Sequence, residues 1–130
     1  MLNRRQIREW FKKALLARSA VVGLVYDSRD VIVEDEPDSF ANFYIESGKV
    51  EDDSNLGREL YYIDFSIVVN VKNGSDDDLD NVEVEIGNAI SNYVRLSPPN
   101  FSFYRTGFHY SGDPTDTYNR LVLEYQIITH

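Results

Sequence analysis

The sequence predicts an α+β domain, with a mostly antiparallel, twisted sheet and two helices packed on one of its faces. In two stretches the apolar residues recur at spacings of three and four, as on one side of a helix, whereas elsewhere they alternate, as in a strand. The order along the chain is one helix, three or four strands, a second helix and two strands. Grouped strands with few intervening helices favour this class over a doubly wound parallel sheet. A chain of 130 residues suits a single domain, residues 1–130.

The first helix is predicted to begin with Asn3 as its cap and to end near Arg18. Its apolar stripe consists of Ile7, Trp10, Phe11, Ala14 and Leu15. Residues 1–18 carry six arginines and lysines against Glu9 alone, although the whole chain has a formal net charge of -9. The basic side is either the solvated side of a surface helix or a surface that meets an acidic neighbour, for which another copy of the chain is one option. An acidic body disfavours general nucleic-acid binding.

Short strands are predicted between this helix and residue 50. The predicted elements are a strand at Val21–Tyr26, a turn at Asp27–Asp30, a partner strand at Val31–Val33 and an aromatic-rich strand at Phe40–Ser47 that ends at Gly48. The following segment, Val50–Gly57, is rich in acidic residues and is predicted to be a loop or hairpin tip. Its run Glu51–Asn55 could bind a divalent cation weakly through oxygen ligands, although such a run is more often a solvated tip.

The next strand, Arg58–Lys72, is unusually long and has apolar groups on both faces. The first row contains Tyr61, Ile63, Phe65, Ile67, Val69 and Val71, and it is the natural face for the helices. The second row contains Leu60, Tyr62, Asp64, Ser66, Val68 and Asn70. No element is left to cover this second row. Together with the tyrosines at 44, 104, 110 and 118, it suggests contact with another subunit, the alternative being a partly exposed sheet face.

The second helix is predicted to start at Ser75 or Asp76 and to stop before Pro98 and Pro99. Its apolar stripe consists of Leu79, Val82, Ile86, Ala89, Ile90, Tyr93 and Val94. The aspartates at 76, 77, 78 and 80 fit a helix start, where the dipole favours negative charge, better than a calcium loop. A hairpin then closes the chain, with arms at Phe101–Ser111 and Tyr118–Thr129 around a turn at residues 112–116.

The pattern of reactive residues does not predict an enzyme or a cofactor. The chain has no cysteine and no phosphate-binding glycine motif. His109, Ser111 and Asp113 are neighbours on one hairpin arm, which does not give the geometry of a catalytic triad. His109 with Asp113 and Asp116 lacks a second histidine at ligand spacing. No apolar run is long enough to span a membrane, and no secretory signal is recognisable, so synthesis in the cytosol is expected.

With these elements placed, the whole chain resembles the tail terminator (tail completion) proteins of long-tailed bacteriophages, including that of phage lambda. The resemblance is carried by the helix I-R-E-W-F-K-K-A-L (7–15), the strands and acidic connection of residues 25–53, the long strand E-L-Y-Y-I-D-F-S-I-V-V-N-V (59–71), the acidic helix start D-D-D-L-D-N-V-E-V-E-I (76–86) and the closing hairpin of residues 107–130. The order of the elements carries more weight than any single residue.

The resemblance implies a structural protein without catalytic residues or cofactors, assembled as a ring of usually six subunits. Such a ring caps the tail tube, stops its polymerisation and offers the surface that joins the head, while DNA passes through the lumen. The implied partners are other copies of the chain, the tail tube protein and a head-completion protein. No membrane partner is implied. The protein would reside in the virion, and in the host cytoplasm during assembly.

The candidate contact residues for the subunit or tail-tube interface are chosen by their charge and their expected exposure. These are Arg4, Arg5, Arg8, Asp52, Asp53, Asn55, Asp113 and Asp116. Two alternatives stay open. One is another ring protein of the neck, such as a head-closure protein, and the other is a small ligand-binding or enzymatic α+β domain with a polar pocket.

Overall fold

A computed structural model describes residues 4–16, 25–29, 37–53, 58–112 and 116–129. The elements, in chain order, are α1 (Arg4–Leu16), β1 (Val25–Asp27), β2 (Ser39–Asp53), β3 (Arg58–Lys72), α2 (Asp76–Leu96), β4 (Ser102–Ser111) and β5 (Tyr118–Thr129). The described strands form one sheet in the order β1-β2-β3-β5-β4, in which only the β1–β2 pair is parallel. The predicted α+β class is confirmed.

Both helices pack on the face of the sheet that carries the first row of β3, as predicted. Ile63, Phe65, Ile67 and Val69 are buried in one cluster with the apolar stripes of α1 and α2 and with alternate residues of β5. The rings of Phe11 and Phe65 stack with centroids 4.4 Å apart. The helical stripes and the alternating first row of β3 therefore pack against each other in one helix–sheet core.

Trp10 links the two helices. Its ring contacts those of Tyr93 in α2 and of Phe101 before β4, at centroid distances of 5.3 and 5.7 Å. Its indole N–H donates a hydrogen bond of 2.8 Å to the carbonyl of Ser97, at the C-terminal end of α2. A partner for this N–H is what lets a large ring sit half inside the core. Asn3 and Arg18, the predicted limits of α1, lie outside the described residues.

The strand β2 is longer than predicted, and residues 50–53, the first half of the expected acidic loop, belong to it. Gly48 pairs with Ile63 and does not end the strand, and the pairing continues until Asp53 lies opposite Arg58. The physical reason is that the hairpin places residues 50–53 antiparallel to residues 58–61, where the backbone groups of the two segments pair. The register shifts between Ile45 and Ser47, so that Glu46 is an extra, bulged residue. Residues 54–57 lie outside the described part.

The strand β1 contains Val25, Tyr26 and Asp27 and pairs in parallel with β2, with Val25 opposite Ala41. Asp27, which was predicted to open a turn, is the last residue of this strand. The rest of the predicted Val21–Tyr26 strand and its predicted partner Val31–Val33 lie outside the described residues.

The helix α2 starts at the position that the aspartate cluster predicted. Ser75 is its N-cap, and a reciprocal pair of hydrogen bonds forms a capping box with Asp78: the Asp78 N–H donates to the Ser75 hydroxyl at 3.2 Å, and the Ser75 N–H donates to the Asp78 carboxylate at 2.9 Å. Asp76 and Asp77 occupy the first turn, where the helix dipole favours their charge.

The closing hairpin forms as predicted, with β5 between β3 and β4, so that β4 is an edge of the sheet. A second bulge lies in β4, where the register shifts between Arg105 and Gly107 and leaves Thr106 unmatched. Neither described helix has the length and apolar character needed to cross a bilayer.

Candidate functional site

The sheet face opposite the helices is called the open face here; it consists of the second row of β3 and its register neighbours on the other strands. At its centre Asn42, Val68, Val122 and His109 lie side by side on β2, β3, β5 and β4. Although no described helix covers this face, Asn42, Ser66, Val68 and Asn70 are all less than a tenth exposed. Other groups of the same chain, the backbone carbonyls of Ser28 and Arg29 among them, therefore shield the middle of the open face.

A polar network holds this centre together. The Asn70 amide donates hydrogen bonds of 3.0 Å to Asn42 Oδ1 and 3.3 Å to the Phe40 carbonyl. The Asn42 amide in turn donates to the Ser28 carbonyl at 3.1 Å, and Arg120 Nε donates to Asn70 Oδ1 at 3.2 Å. In the described part of the chain no buried side-chain nitrogen or oxygen is left without a partner. Two asparagines thus tie the segment after β1 to three neighbouring strands.

A depression of about 470 Å³ lies above this network. Its described lining residues include Arg29 and Arg120 and no carboxylate, so its charged walls are cationic in a chain of net charge -9; His109 also lines it. Arg29 donates a hydrogen bond of 3.0 Å to the Ile45 carbonyl, and its guanidinium lies 5.1 Å from the centre of the Tyr44 ring. Arg120 also pairs with Asp116 at 3.7 Å. The arrangement suits a small anionic group better than a cation.

The neighbouring part of the open face is acidic. A second depression, of about 490 Å³, is lined by residues that include Glu46, Asp64 and Glu124. Ser47 donates a hydrogen bond of 3.0 Å to the Asp64 carboxylate, and His109 Nδ1 lies 3.2 Å from the Glu124 carboxylate. The open face therefore has a cationic region and an acidic region, and His109 lies at the boundary between them.

The expectation of a broad apolar, tyrosine-rich open face is only partly met. Tyr44, Tyr104 and Tyr118 do lie on it, but Tyr104 is the one large apolar group there that is strongly exposed among the described residues. Tyr118 packs edge-on against Phe40, with centroids 5.0 Å apart. The placement of Tyr110 was wrong: it pairs with Leu121 and lies on the helix face, because the bulge at Thr106 shifts the alternation by one residue.

The other exposed apolar side chains lie on the helices and along the sheet edges. Phe108 and Tyr110 of β4 are 58% and 43% exposed, and Val84 of α2 is 62% exposed. The Tyr110 hydroxyl donates a hydrogen bond of 2.5 Å to Asp80 of α2. This bond to a carboxylate, with the negative charge around it, raises the pKa of Tyr110 to about 12. Arg105 pairs with Glu83 beside it.

The three predicted arginines all lie on α1 and point in different directions. Arg4 is exposed and lines a depression of about 410 Å³ together with Ile45, Val50 and Tyr61. The guanidinium of Arg5 pairs within the helix with Glu9 at 3.0 Å, and that of Arg8 pairs with Asp27 of β1 at 3.3 Å. Arg8 therefore anchors α1 to the β1 edge of the sheet.

The predicted acidic contact residues are not gathered into one site. Asp52 and Asp53 are the last residues of β2, paired with Glu59 and Arg58, and so are strand residues rather than loop residues. Asn55 and Asp113 lie outside the described residues. Asp116 is exposed and pairs with Arg120 at the margin of the cationic depression. Within the described ranges, no cluster of three or more histidine, aspartate or glutamate side chains is placed to hold a metal ion.

The polar centre of the open face was missed by the sequence analysis. The available signal was the presence of Asn42 and Asn70 inside strands whose neighbouring positions are apolar, since asparagine is depleted in strands unless its amide is used. Which carbonyls and side chains the two amides reach depends on the pairing of β2 with β3.

No model of a known protein family matches the chain, and no curated protein sequence is significantly similar to it.

Proposed function

We propose that this chain is a structural subunit of a ring that caps the tail tube of a long-tailed bacteriophage or prophage, ends its polymerisation and provides the surface for head joining. The observation that carries the proposal is the order of elements around one sheet. A basic amphipathic helix, a long hairpin, a helix with an acidic cap and a closing hairpin follow each other as the tail-terminator resemblance implies.

The distribution of exposed apolar groups supports a subunit that is completed by neighbours. Phe108 and Tyr110 lie on the edge strand β4, and Val50 is 53% exposed near the end of β2. In a ring each subunit contacts a neighbour on both sides. Exposed apolar side chains such as these then become buried in the interfaces between subunits, while the core of each subunit stays closed. The strongly acidic composition suits a channel for DNA, because like charge repels the phosphates and limits sticking.

The test is a tail assembly assay. Purified protein is added to polymerising tail tube protein, and tube lengths are measured by electron microscopy. If the protein is a terminator, the tubes become shorter on average and the protein is seen at one end of each tube. Deletion of the gene from the phage is expected to leave unjoined heads and overlong tails. Tubes whose length is unaffected by the protein would refute the proposal, and binding to heads or connectors alone would favour a head-closure protein.

The cationic depression favours a second candidate, a small ligand-binding domain. Arg29, Arg120 and His109 surround a volume large enough for a small anion, with Tyr44 at its wall. Isothermal titration of the protein with inorganic phosphate and with a dicarboxylate tests this function. Saturable binding that is lost in Arg120→Ala, in a protein that does not cap tubes, would favour the second candidate over the ring.

A further inference from the structure

The strand β4 is an edge of the sheet with an open and aromatic surface. In the described part of the chain β5 is its only strand neighbour, and eight of its ten residues are exposed. The exposed aromatic side chains of the described residues all lie on it: Tyr104, Phe108 and Tyr110 are 49%, 58% and 43% exposed. Natural edges are commonly protected by lysine, proline, a bulge or a very short length, and of these β4 has only the bulge. Its free backbone N–H and C=O groups are therefore open to an added strand.

The charge of β4 suits contact with another copy of the same chain. Among the described strands it is the one without an aspartate or glutamate, in a chain whose net charge of -9 otherwise makes two copies repel each other. The edge strand at the other end of the described sheet, β1, has three residues and ends in Asp27. The β4 edge is therefore where two copies can approach with the least repulsion.

The faces of β4 are symmetric about its bulge. Thr106 and Gly107 form the middle of the strand, and both lie beside Glu124 on the open face. A second copy turned by a two-fold rotation can pair antiparallel with the strand so that Ser102 lies opposite Ser111. The two bulges then meet, and every pair of opposed side chains shares one face of the sheet.

This register also gives attractive side-chain pairs on both faces. Each pair joins an aromatic ring of one copy to a ring or a cation of the other: Phe103 with Tyr110, Arg105 with Phe108 and Tyr104 with His109. Every pair occurs twice, and no like charges oppose each other. Tyr110 and its partner Asp80 come to opposite ends of the contact in the two copies, which keeps the acidic starts of the two α2 helices apart.

We propose that two copies of this chain pair through their β4 edges, antiparallel and around a two-fold axis, so that one continuous sheet runs through both. Such an isologous contact closes on itself, whereas a ring with a head side and a tail side needs heterologous contacts. The pair is thus a state of the free protein, and the inference does not rest on the proposed function. Because the pair and a ring would bury the same exposed rings of β4, the pair has to separate before a ring forms.

The absence of cysteine from the chain allows a direct test of the register by disulfide crosslinking. Ser102→Cys and Ser111→Cys, nearly isosteric changes at exposed positions, are prepared separately, mixed in equal amounts and oxidised mildly. The expected product is the mixed dimer, in excess over both homodimers relative to the statistical ratio. A mixture of Ser102→Cys with His109→Cys, which lies on the same face but two residues out of register, is the matched control and should not give this excess. A chain carrying both Ser102→Cys and Ser111→Cys should give covalent dimers and no longer multimers.

Substitutions of Phe108 test the contact in solution. Phe108→Lys places a second cation opposite Arg105 of the second copy, and it is expected to weaken dimerisation by about tenfold or more, as followed by sedimentation velocity at several concentrations. Phe108→Glu removes the same ring but places a carboxylate opposite Arg105, so it should weaken dimerisation less. Val50→Lys, at a 53% exposed apolar position of β2, is the control and should leave dimerisation unchanged. Urea unfolding of each variant shows that it is folded.

The inference is overturned if the purified protein sediments as a monomer at every concentration, or if the mixed dimer of Ser102→Cys and Ser111→Cys does not exceed that of the control mixture. Equal weakening by Phe108→Lys and Phe108→Glu would also overturn it, because the charge opposite Arg105 would then have no effect. A ladder of multimers from the chain with both cysteines would contradict the two-fold axis. Tail capping is read separately, from tube lengths, and its outcome leaves the pair unaffected.

Discussion

The side-chain amide of Asn70 donates a hydrogen bond of 3.0 Å to Oδ1 of Asn42, and both residues are buried on a sheet face that no described helix covers. The pair joins β2 to β3, and through Ser28 and Arg120 it also reaches the segment after β1 and the strand β5. Burial of two side-chain amides is stable only while each of their polar atoms keeps its hydrogen-bond partner. The network therefore contributes rigidity to the open face, and its loss is expected to be measurable.

Replacement of Asn70 by alanine should lower the free energy of unfolding by about 2 kcal/mol, because Asn42 Oδ1 loses a donor and Arg120 loses an acceptor in a poorly hydrated site. Urea unfolding followed by the fluorescence of Trp10 measures the change. Asn88→Ala, at an exposed position of α2, is the control and should alter stability by less than about 0.5 kcal/mol. Equal effects of the two substitutions would mean that the network does not stabilise the fold.

Loss of the capping box should destabilise α2 and with it the whole domain. Ser75→Ala removes the hydroxyl that accepts from the Asp78 N–H, and the expected loss is about 1 kcal/mol. Ser91→Ala, at an exposed position inside the same helix, should be neutral or slightly stabilising because alanine has the higher helix propensity. Chemical denaturation of both variants is the measurement, and a Ser75→Ala protein as stable as the parent would contradict the assigned cap.

Two glycines should respond in opposite directions to alanine. At Gly74 an added Cβ would lie 2.6 Å from Val71 Cγ1 and 2.7 Å from Val71 Cβ, so the turn between β3 and α2 has to shift. We expect Gly74→Ala to cost about 2 kcal/mol, a typical cost of overpacking.

Gly87 offers the matched comparison, since a Cβ there meets no atom within 4 Å and the residue lies inside α2. Gly87→Ala should stabilise the protein by about 0.5–1 kcal/mol, because it reduces the conformational freedom of the unfolded chain. Thermal unfolding of the two variants should shift the midpoint in opposite directions. A destabilising Gly87→Ala would show that this side of α2 is more crowded than described.

The Tyr110–Asp80 bond predicts a specific loss of stability at high pH. Hydrogen bonding to Asp80 raises the pKa of Tyr110 from 10.0 to about 12. The unfolded chain therefore ionises first, and the contribution of Tyr110 to stability is complete below pH 10.0 and fades as pH rises toward about 12. A tyrosinate absorbance titration should contain this late group beside Tyr61, whose pKa the hydrogen bond to Glu59 raises, and Tyr125, whose pKa burial raises.

Tyr110→Phe should remove one late-titrating tyrosine from the curve of the parent protein, and Asp80→Asn should move that group back toward the ordinary tyrosine range. Tyr104→Phe is the control: it removes a tyrosine that lies on the open face, away from Asp80, so the late group should persist. If the difference between the titrations of the parent and of Tyr110→Phe lies in the ordinary tyrosine range, the hydrogen bond to Asp80 is contradicted.

The candidate contact residues were only partly predictable from the sequence. Charge and helical spacing predicted that Arg4, Arg5 and Arg8 lie on one helix. Their different partners, solvent for Arg4, Glu9 for Arg5 and Asp27 for Arg8, depend on which strand lies beside α1. The acidic run before Gly57 was predicted as a loop or hairpin tip, because composition alone does not reveal that β3 holds the first residues of this run in a strand pair.

The sequence by itself determined the two helices, the long strand β3 and the faces that these elements bury. The helix stripes, the start of α2 at Ser75 or Asp76 and the first row of β3 were all predicted, because spacing and capping act within a few residues along the chain. The tertiary structure alone decided the parallel pairing of β1, the place of β5 between β3 and β4, the Asn42–Asn70 network and the side on which Tyr110 lies. These features arise from pairing between distant segments, in which one bulged residue reverses the face of all that follow it.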